Sequence, residues 1–152
     1  MSPSPAWFHQ EILINLARIL IRYLDENPIG KIYVAPLDTF LTELNVYQPD
    51  VVFVSNERKS ILKEDGVNGA PDFVAEILSP RTAKYDRGPK RDIYARTGVE
   101  ELWIIDPELK TVQVFRFGES ADAPVGTYGI NQQFTSPIFP GLTVTVADVF
   151  RR

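Results

Sequence analysis

The sequence predicts an α/β domain, a mixed β-sheet flanked by helices, in the order α-β-β-β-α-β with extra β at the C-terminus. Three observations carry this. Near the N-terminus an apolar stripe through Leu13, Leu16, Leu20 and Leu24 recurs with helical period. Two short segments, PDFVAEILS and ELWIIDP, are almost wholly apolar and end at proline, as strands covered on both faces do. Between them lies KRDIYARTG, a helical segment, so strand, helix and strand in quick succession imply a right-handed parallel crossover.

The first helix starts at Ser4 as N-cap with Pro5 at its first position, and Pro28-Ile29-Gly30 stops it. Gln10, Glu11, Asn15, Arg18, Arg22, Asp25 and Glu26 mark its solvent face, with His9 at the start of the apolar stripe. KIYVAPLDTFL and VYQPDVVFVS read as two strands of an antiparallel hairpin joined by the polar TELN. NERKSILKEDGVNG holds at most a helical turn before the strand PDFVAEILS, which Pro80 ends. Gly88-Pro89 opens the next helix and Gly98 caps it. ELWIIDP and the alternating TVQVFRFG are strands, Asp106-Pro107 is a turn, and FPGLTVTVADVF gives a last strand and a short helix.

The 152 residues suit a single domain, residues 1–152, with 44% hydrophobic residues and no repeat or low-complexity tract. Cysteine is absent, which excludes disulfides, thiolate zinc sites and a cysteine nucleophile. The longest apolar run is broken by Arg18 and Arg22, so no segment is expected to span a membrane. The N-terminus has neither a basic n-region nor a cleavable apolar core, and a cytoplasmic location is expected. The net charge of −4 argues mildly against a generic nucleic-acid binder. Its distribution argues otherwise, because Arg81, Lys84, Arg87, Lys90, Arg91 and Arg96 crowd one segment against only Asp86 and Asp92.

Within PDFVAEILS, counting by twos puts Asp72, Val74, Glu76 and Leu78 on one face and Phe73, Ala75 and Ile77 on the other. Glu76 is then a carboxylate in a nearly dry place, which costs on the order of 2 kcal/mol or more without a partner. Asp50, in QPDVVFV, is likewise an acid among apolar neighbours. Two acids on adjacent strands have the oxygen chemistry that magnesium takes, with a backbone carbonyl and waters completing its shell. The same acids also suit ordinary strand ends that reach solvent or accept backbone hydrogen bonds. Asp72 is expected to cap the strand entrance or to pair with a basic residue, and Trp103 and Tyr94 to pack in the core and at its rim.

An Asp on one strand, Glu-x-Leu on the next and a following helix bearing lysine resemble the PD-(D/E)XK nuclease superfamily. More closely, QPDVVFVS, GAPDFVAEILSP, the D-x-x-x-K-x-x-x-Y of Asp86, Lys90 and Tyr94, and GVEELWIIDP resemble the Uma2 family of putative restriction endonucleases. The resemblance covers nearly the whole chain, from His9-Gln10 to GLTVTVADVF. It implies a restriction-endonuclease-like fold and hydrolysis of phosphodiester bonds, of DNA, with Mg2+ or Mn2+. Asp50 and Glu76 would be metal ligands, with the carbonyl of Ile77 as third.

Position 78 is Leu where the superfamily motif has lysine, so the resemblance implies a migrated lysine: Lys90 first, Lys84 second. His9, not Glu11, would face the pocket from the first helix, with metal contact, phosphate contact or neither as its role. The basic run from Arg81 to Arg96, Arg87 included, would either contact phosphate or be only a solvated loop and helix face. Cleaving both strands of a duplex would call for a homodimer, and TVQVFRFG or GLTVTVADVF could pair between chains. The alternative is a nuclease-fold module that binds nucleic acid or protein without catalysis.

Overall fold

A computed structural model describes residues 6–152 of the chain. The N-terminal helix α1 (Ala6–Glu26) is followed by β1 (Gly30–Val34), β2 (Thr39–Phe40), β3 (Val46–Tyr47) and β4 (Val51–Ser55). A 3₁₀ turn (Asn56–Ile61) leads to β5 (Leu62–Lys63), β6 (Gly66–Asn68) and β7 (Phe73–Ile77). Next come α2 (Ala83–Tyr85), a π-helical turn (Asp86–Lys90), α3 (Arg91–Thr97), β8 (Glu101–Asp106) and β9 (Thr111–Arg116). The chain ends with β10 (Gly126–Tyr128), β11 (Gln133–Thr135), β12 (Thr143–Thr145) and α4 (Val146–Val149). The expected Ser4-Pro5 helix start lies outside the described residues.

The main sheet has the order β1-β4-β7-β8-β9-β10. Its β7–β8 pair is parallel, with Phe73 opposite Glu101 and Ile77 opposite Ile105, while the other pairs are antiparallel. The helical connection between PDFVAEILS and ELWIIDP therefore makes the parallel crossover that the sequence predicts. Alternation sorts the side chains. Phe53, Phe73, Ala75, Ile77, Trp103 and Ile105 pack with Phe8, Ile12, Leu16 and Leu20 of α1. Val52, Val74, Leu78, Leu102 and Ile104 pack on the opposite face with Tyr94 of α3. Both faces are thus covered, which is why β7 and β4 are buried along their whole length. Trp103 anchors the α1 face, meeting Phe73 and Phe134 edge-on at 4.7 and 4.9 Å between ring centroids.

Four expectations change in the structure. The hairpin exists but is bent into two sheets: β1 pairs with β4 and β2 with β3, the chain turning at Pro36 and Pro49, which cannot donate to a ladder. NERKSILKEDGVNG holds a small β5–β6 hairpin besides its 3₁₀ turn. The helix after β7 begins at Ala83, before Gly88-Pro89, and the proline is absorbed by the π turn. Gly98 still ends it, at φ 108° in the left-handed region. Finally, Asn15 is buried, not on the solvent face, because Nδ2 donates to the carbonyls of Val149 and Arg151 at 3.1 and 2.8 Å.

The C-terminus contributes more β structure than one strand. β10 covers the edge of β9, so TVQVFRFG is interior to the sheet and is not free to pair with another chain. β11 and β12 form a separate hairpin whose Phe134 and Val144 join the α1-side core.

Candidate active site

The antiparallel β4–β7 ladder runs through Val51↔Ala75, Val52↔Val74 and Phe53↔Phe73 and then stops. The next rung would set Asp50 opposite Glu76 and Pro49 opposite Ile77. Pro49 has no N–H to give the Ile77 carbonyl, and the Ile77 amide is taken by a side chain instead: Asp50 Oδ2 accepts from it at 2.7 Å. Reciprocally, Glu76 Oε1 accepts from the Asp50 amide at 3.3 Å. The two acids are therefore laced across the end of the ladder by each other's backbone.

Helix geometry supplies the cation. Asp86, Lys90 and Tyr94 are spaced four and four and share one face of the π turn and α3. Lys90 Nζ lies 2.6 Å from Glu76 Oε2 and 3.5 Å from Asp86 Oδ1. The Tyr94 hydroxyl donates to the same Oε2 at 2.6 Å. Tyr47 of β3 lies under Lys90, its ring centroid 5.1 Å from Nζ, and packs edge-on against Tyr94. From α1, His9 Nε2 sits 3.3 Å from the Ile77 carbonyl oxygen and 3.9 Å from Asp50 Oδ1.

The sequence-predicted residues Asp50, Glu76, Ile77, Lys90 and His9 are thus brought together. Lys84 is not: it is exposed and forms no ion pair among the described residues, because it points away from the face that carries Asp86 and Lys90. Arg87 stands apart from the carboxylates, and its guanidinium is engaged by Asp106 Oδ2 at 2.9 Å and Gln113 Oε1 at 3.0 Å. Asp106 still makes its turn, accepting from the amides of Glu108 and Leu109. Asp72 meets both of its expectations, capping Ser55 N at 2.8 Å and facing Arg58. Three residues at the site carried no functional role in the sequence: Tyr94, expected only to pack, Asp86 and Tyr47. The four-residue spacing of Asp86, Lys90 and Tyr94 was the available signal for the first two, whereas nothing local marks Tyr47. Tyr94 is no simple packing residue, since its hydroxyl serves a buried carboxylate.

Burial dominates the electrostatics. Glu76, 4% exposed, has its carboxyl pushed up to about 7 by burial, a rise that Lys90 opposes and the Asp50 charge reinforces. Burial also raises Asp50, against the Ile77 amide and the charges of His9 and Lys90, and raises Asp86 against Lys90. Burial would lower Lys90, but the attraction of Glu76, joined by Asp86 and Asp50, outweighs it and the ammonium is held above its ordinary value. Tyr94 is pushed well above the phenol range, first by burial and then by the Glu76 charge.

Whether a divalent metal suits these residues follows from the charge count. Asp50, Glu76 and Asp86 meet one lysine, leaving two negative charges in a dry site when all three acids are ionised. Asp86 Oδ1 is buried without a hydrogen-bond partner, although Lys90 lies within ion-pair range. Among the described residues no three His, Cys, Asp or Glu side chains form a ready-made metal cluster. The donors the site offers are two carboxylates, from Asp50 and Glu76, with the Ile77 carbonyl, and a magnesium ion there would take its other ligands from water or phosphate.

A family model described as Uma2, putative restriction endonuclease, matches residues 1–147. A solved structure from Anabaena variabilis, described as a putative nuclease belonging to DUF820, has the same fold with a TM-score of 0.73 at 22% identity, covering 99% of this chain and 84% of that one. No curated protein matches the chain.

Proposed function

Because the chain belongs to the Uma2 family, whose description is putative restriction endonuclease, we propose that it is a Mg2+- or Mn2+-dependent endonuclease acting on DNA. The observation that carries this reading is the convergence of Asp50 and Glu76 at the end of a broken ladder, with Lys90 Nζ 2.6 Å from Glu76 Oε2 and His9 between Asp50 and the Ile77 carbonyl.

In this mechanism Asp50, Glu76 and the Ile77 carbonyl would hold the metal. When bound, the metal supplies a water of lowered pKa and a positive centre beside the phosphoryl oxygens. Lys90 keeps its proton, because Glu76 and Asp86 hold it cationic, and offers that charge to the phosphate as negative charge builds. Tyr94 and the Ile77 amide fix the orientations of Glu76 and Asp50, so that neither carboxylate must reorganise during the reaction. His9 holds the outer side of the site, next to the Ile77 carbonyl.

The partner is then nucleic acid. A homodimer would place two such sites on the two strands of a duplex, and the exposed Trp7, Ile14 and Ile21, seven residues apart on α1, offer an apolar stripe for pairing. No helix of the described residues is long and apolar enough to cross a membrane.

Plasmid cleavage with added Mn2+ or Mg2+ tests the proposal. Metal-dependent nicking that chelator and Glu76→Ala both abolish is expected. The rival, a binding module without catalysis, draws on Lys90 and Tyr94 already satisfying Glu76 Oε2. DNA retention without cleavage in either metal would favour it.

A further inference from the structure

We propose that the cavity beside the carboxylate pair is a nucleobase subsite, which takes one unstacked base next to the scissile phosphate. The inference rests on the nuclease reading for its setting and on the cavity itself for its chemistry. The cavity, about 440 Å³, lies at the C-terminal ends of the two parallel strands β7 and β8. Open α/β sheets bind their ligands in such crevices, and the volume falls within the range of small-ligand pockets. His9 belongs both to the cavity wall and to the carboxylate site, so an occupant of one borders the other.

The lining selects the occupant. Leu78, Pro80, Ala83 and Pro107 give short, stiff apolar walls. The polar groups among them are Arg87 with Asp106 and, around the rim, Gln10, Ser79 and Glu108. Arg87 lines the cavity, but Asp106 offsets its charge at 2.9 Å and Gln113 takes a second donor at 3.0 Å, which turns both terminal nitrogens toward these partners. Asp106 and Glu108 make the lining acidic, which further disfavours an anion. A flat, uncharged group with hydrogen-bond donors and acceptors at its edge fits both the walls and the rim, and a nucleobase is that group. Enzymes that seat a base in a pocket bear an unstacking cost of a few kcal/mol, least for single-stranded or mismatched DNA. The subsite therefore gives a base preference at the nucleotide next to the cut, and faster cleavage where that base is already unpaired.

Nucleosides test the cavity without requiring cleavage. Amide NMR shifts of the full chain would be followed on titration with adenosine, guanosine, cytidine and thymidine, and with ribose 5-phosphate as the phosphate control. Saturable shifts at Ser79, Ala83, Arg87 and Glu108 are expected for at least one nucleoside below about 10 mM, a reasonable affinity for a fragment of that size. Ribose 5-phosphate should leave these amides unmoved. Ala83→Trp, which fills the cavity, should weaken nucleoside binding at least tenfold, and Ala83→Leu, a smaller plug checked for a native spectrum, should weaken it in the same direction. No shift with any nucleoside, or equal shifts with ribose 5-phosphate, would overturn the proposal. Failure of plasmid cleavage would count against the nuclease reading alone, because the titration reads the cavity whether or not the protein cuts.

Discussion

Lys90 Nζ stands 2.6 Å from Glu76 Oε2, and this pair meets across the whole loop that joins β7 to α3. A carboxylate that is 4% exposed is tolerable in the sheet because a lysine with a 14% exposed side chain and a tyrosine hydroxyl converge on one of its oxygens. The pair ties the crossover to the strand, so fold stability and the proposed chemistry depend on the same contact.

Removing Lys90 should therefore be costly. Lys90→Ala leaves Glu76 buried without its cation and is expected to destabilise the fold by about 3 kcal/mol, as well as abolishing cleavage. Lys90→Met with Glu76→Gln removes both charges and should recover most of that stability without recovering activity. Urea unfolding of the single and double variants, with plasmid nicking beside it, separates the two effects.

The raised carboxyls set a pH dependence. Glu76 binds its proton up to about 7 in the folded chain and only up to its ordinary 4.5 when unfolded. Between those values the folded state holds more protons, so stability falls as pH rises through the window. Asp50 and Asp86, also raised, act in the same direction. A metal held by Asp50 and Glu76, as proposed, would compete with those protons. Its stabilising effect should be small near pH 5.5 and grow to a plateau above about pH 7.5. Thermal unfolding with and without Mn2+ across that range checks the sign, and Glu76→Gln should remove most of the metal effect.

Tyr94→Phe deletes one hydrogen bond to a buried, charged acceptor, at a cost of about 1.5–3 kcal/mol. Loss of that donor should also raise the Glu76 carboxyl further, since Tyr94 is among the groups that lower it. Metal-dependent stabilisation should then begin at higher pH than in the parent protein, a displacement that a purely structural role for Tyr94 would not produce.

Asn15→Ala should loosen the C-terminus. Its Nδ2 serves one carbonyl at the end of α4 and one just beyond it, and their loss should cost about 1–3 kcal/mol. Faster hydrogen exchange at Val146–Val149, with β7 and β8 unaffected, is the expected readout.

Much of this was legible in the sequence, for identifiable reasons. Strict alternation in PDFVAEILS placed Glu76 with Val74 and Leu78, and the two core clusters divide along that line. The apolar run of ELWIIDP, with a helix before it, required a strand covered on both faces beside PDFVAEILS, and the parallel pair is there. Where the reading failed, a non-local partner decided. Asn15 has the composition of a solvent face, yet carbonyls more than 130 residues away bury it. Gly88-Pro89 is a sound local start for a helix, but a π turn carries the helix through it.

At the site the division is similar. Residue type and strand pattern singled out Asp50 and Glu76 as acids among apolar neighbours, whereas the choice of Lys90 came from the resemblance to the nuclease family. Their local sequence could not say that Glu76 meets Lys90 and Tyr94 together, that Lys84 turns away, or that Tyr47 closes the cluster from a different sheet. Those depend on where Pro49 breaks a ladder and how a π turn rotates a helix. A proline marks each place in the sequence, but which side chains then meet is set by packing between segments far apart in the chain, which local periodicity cannot encode.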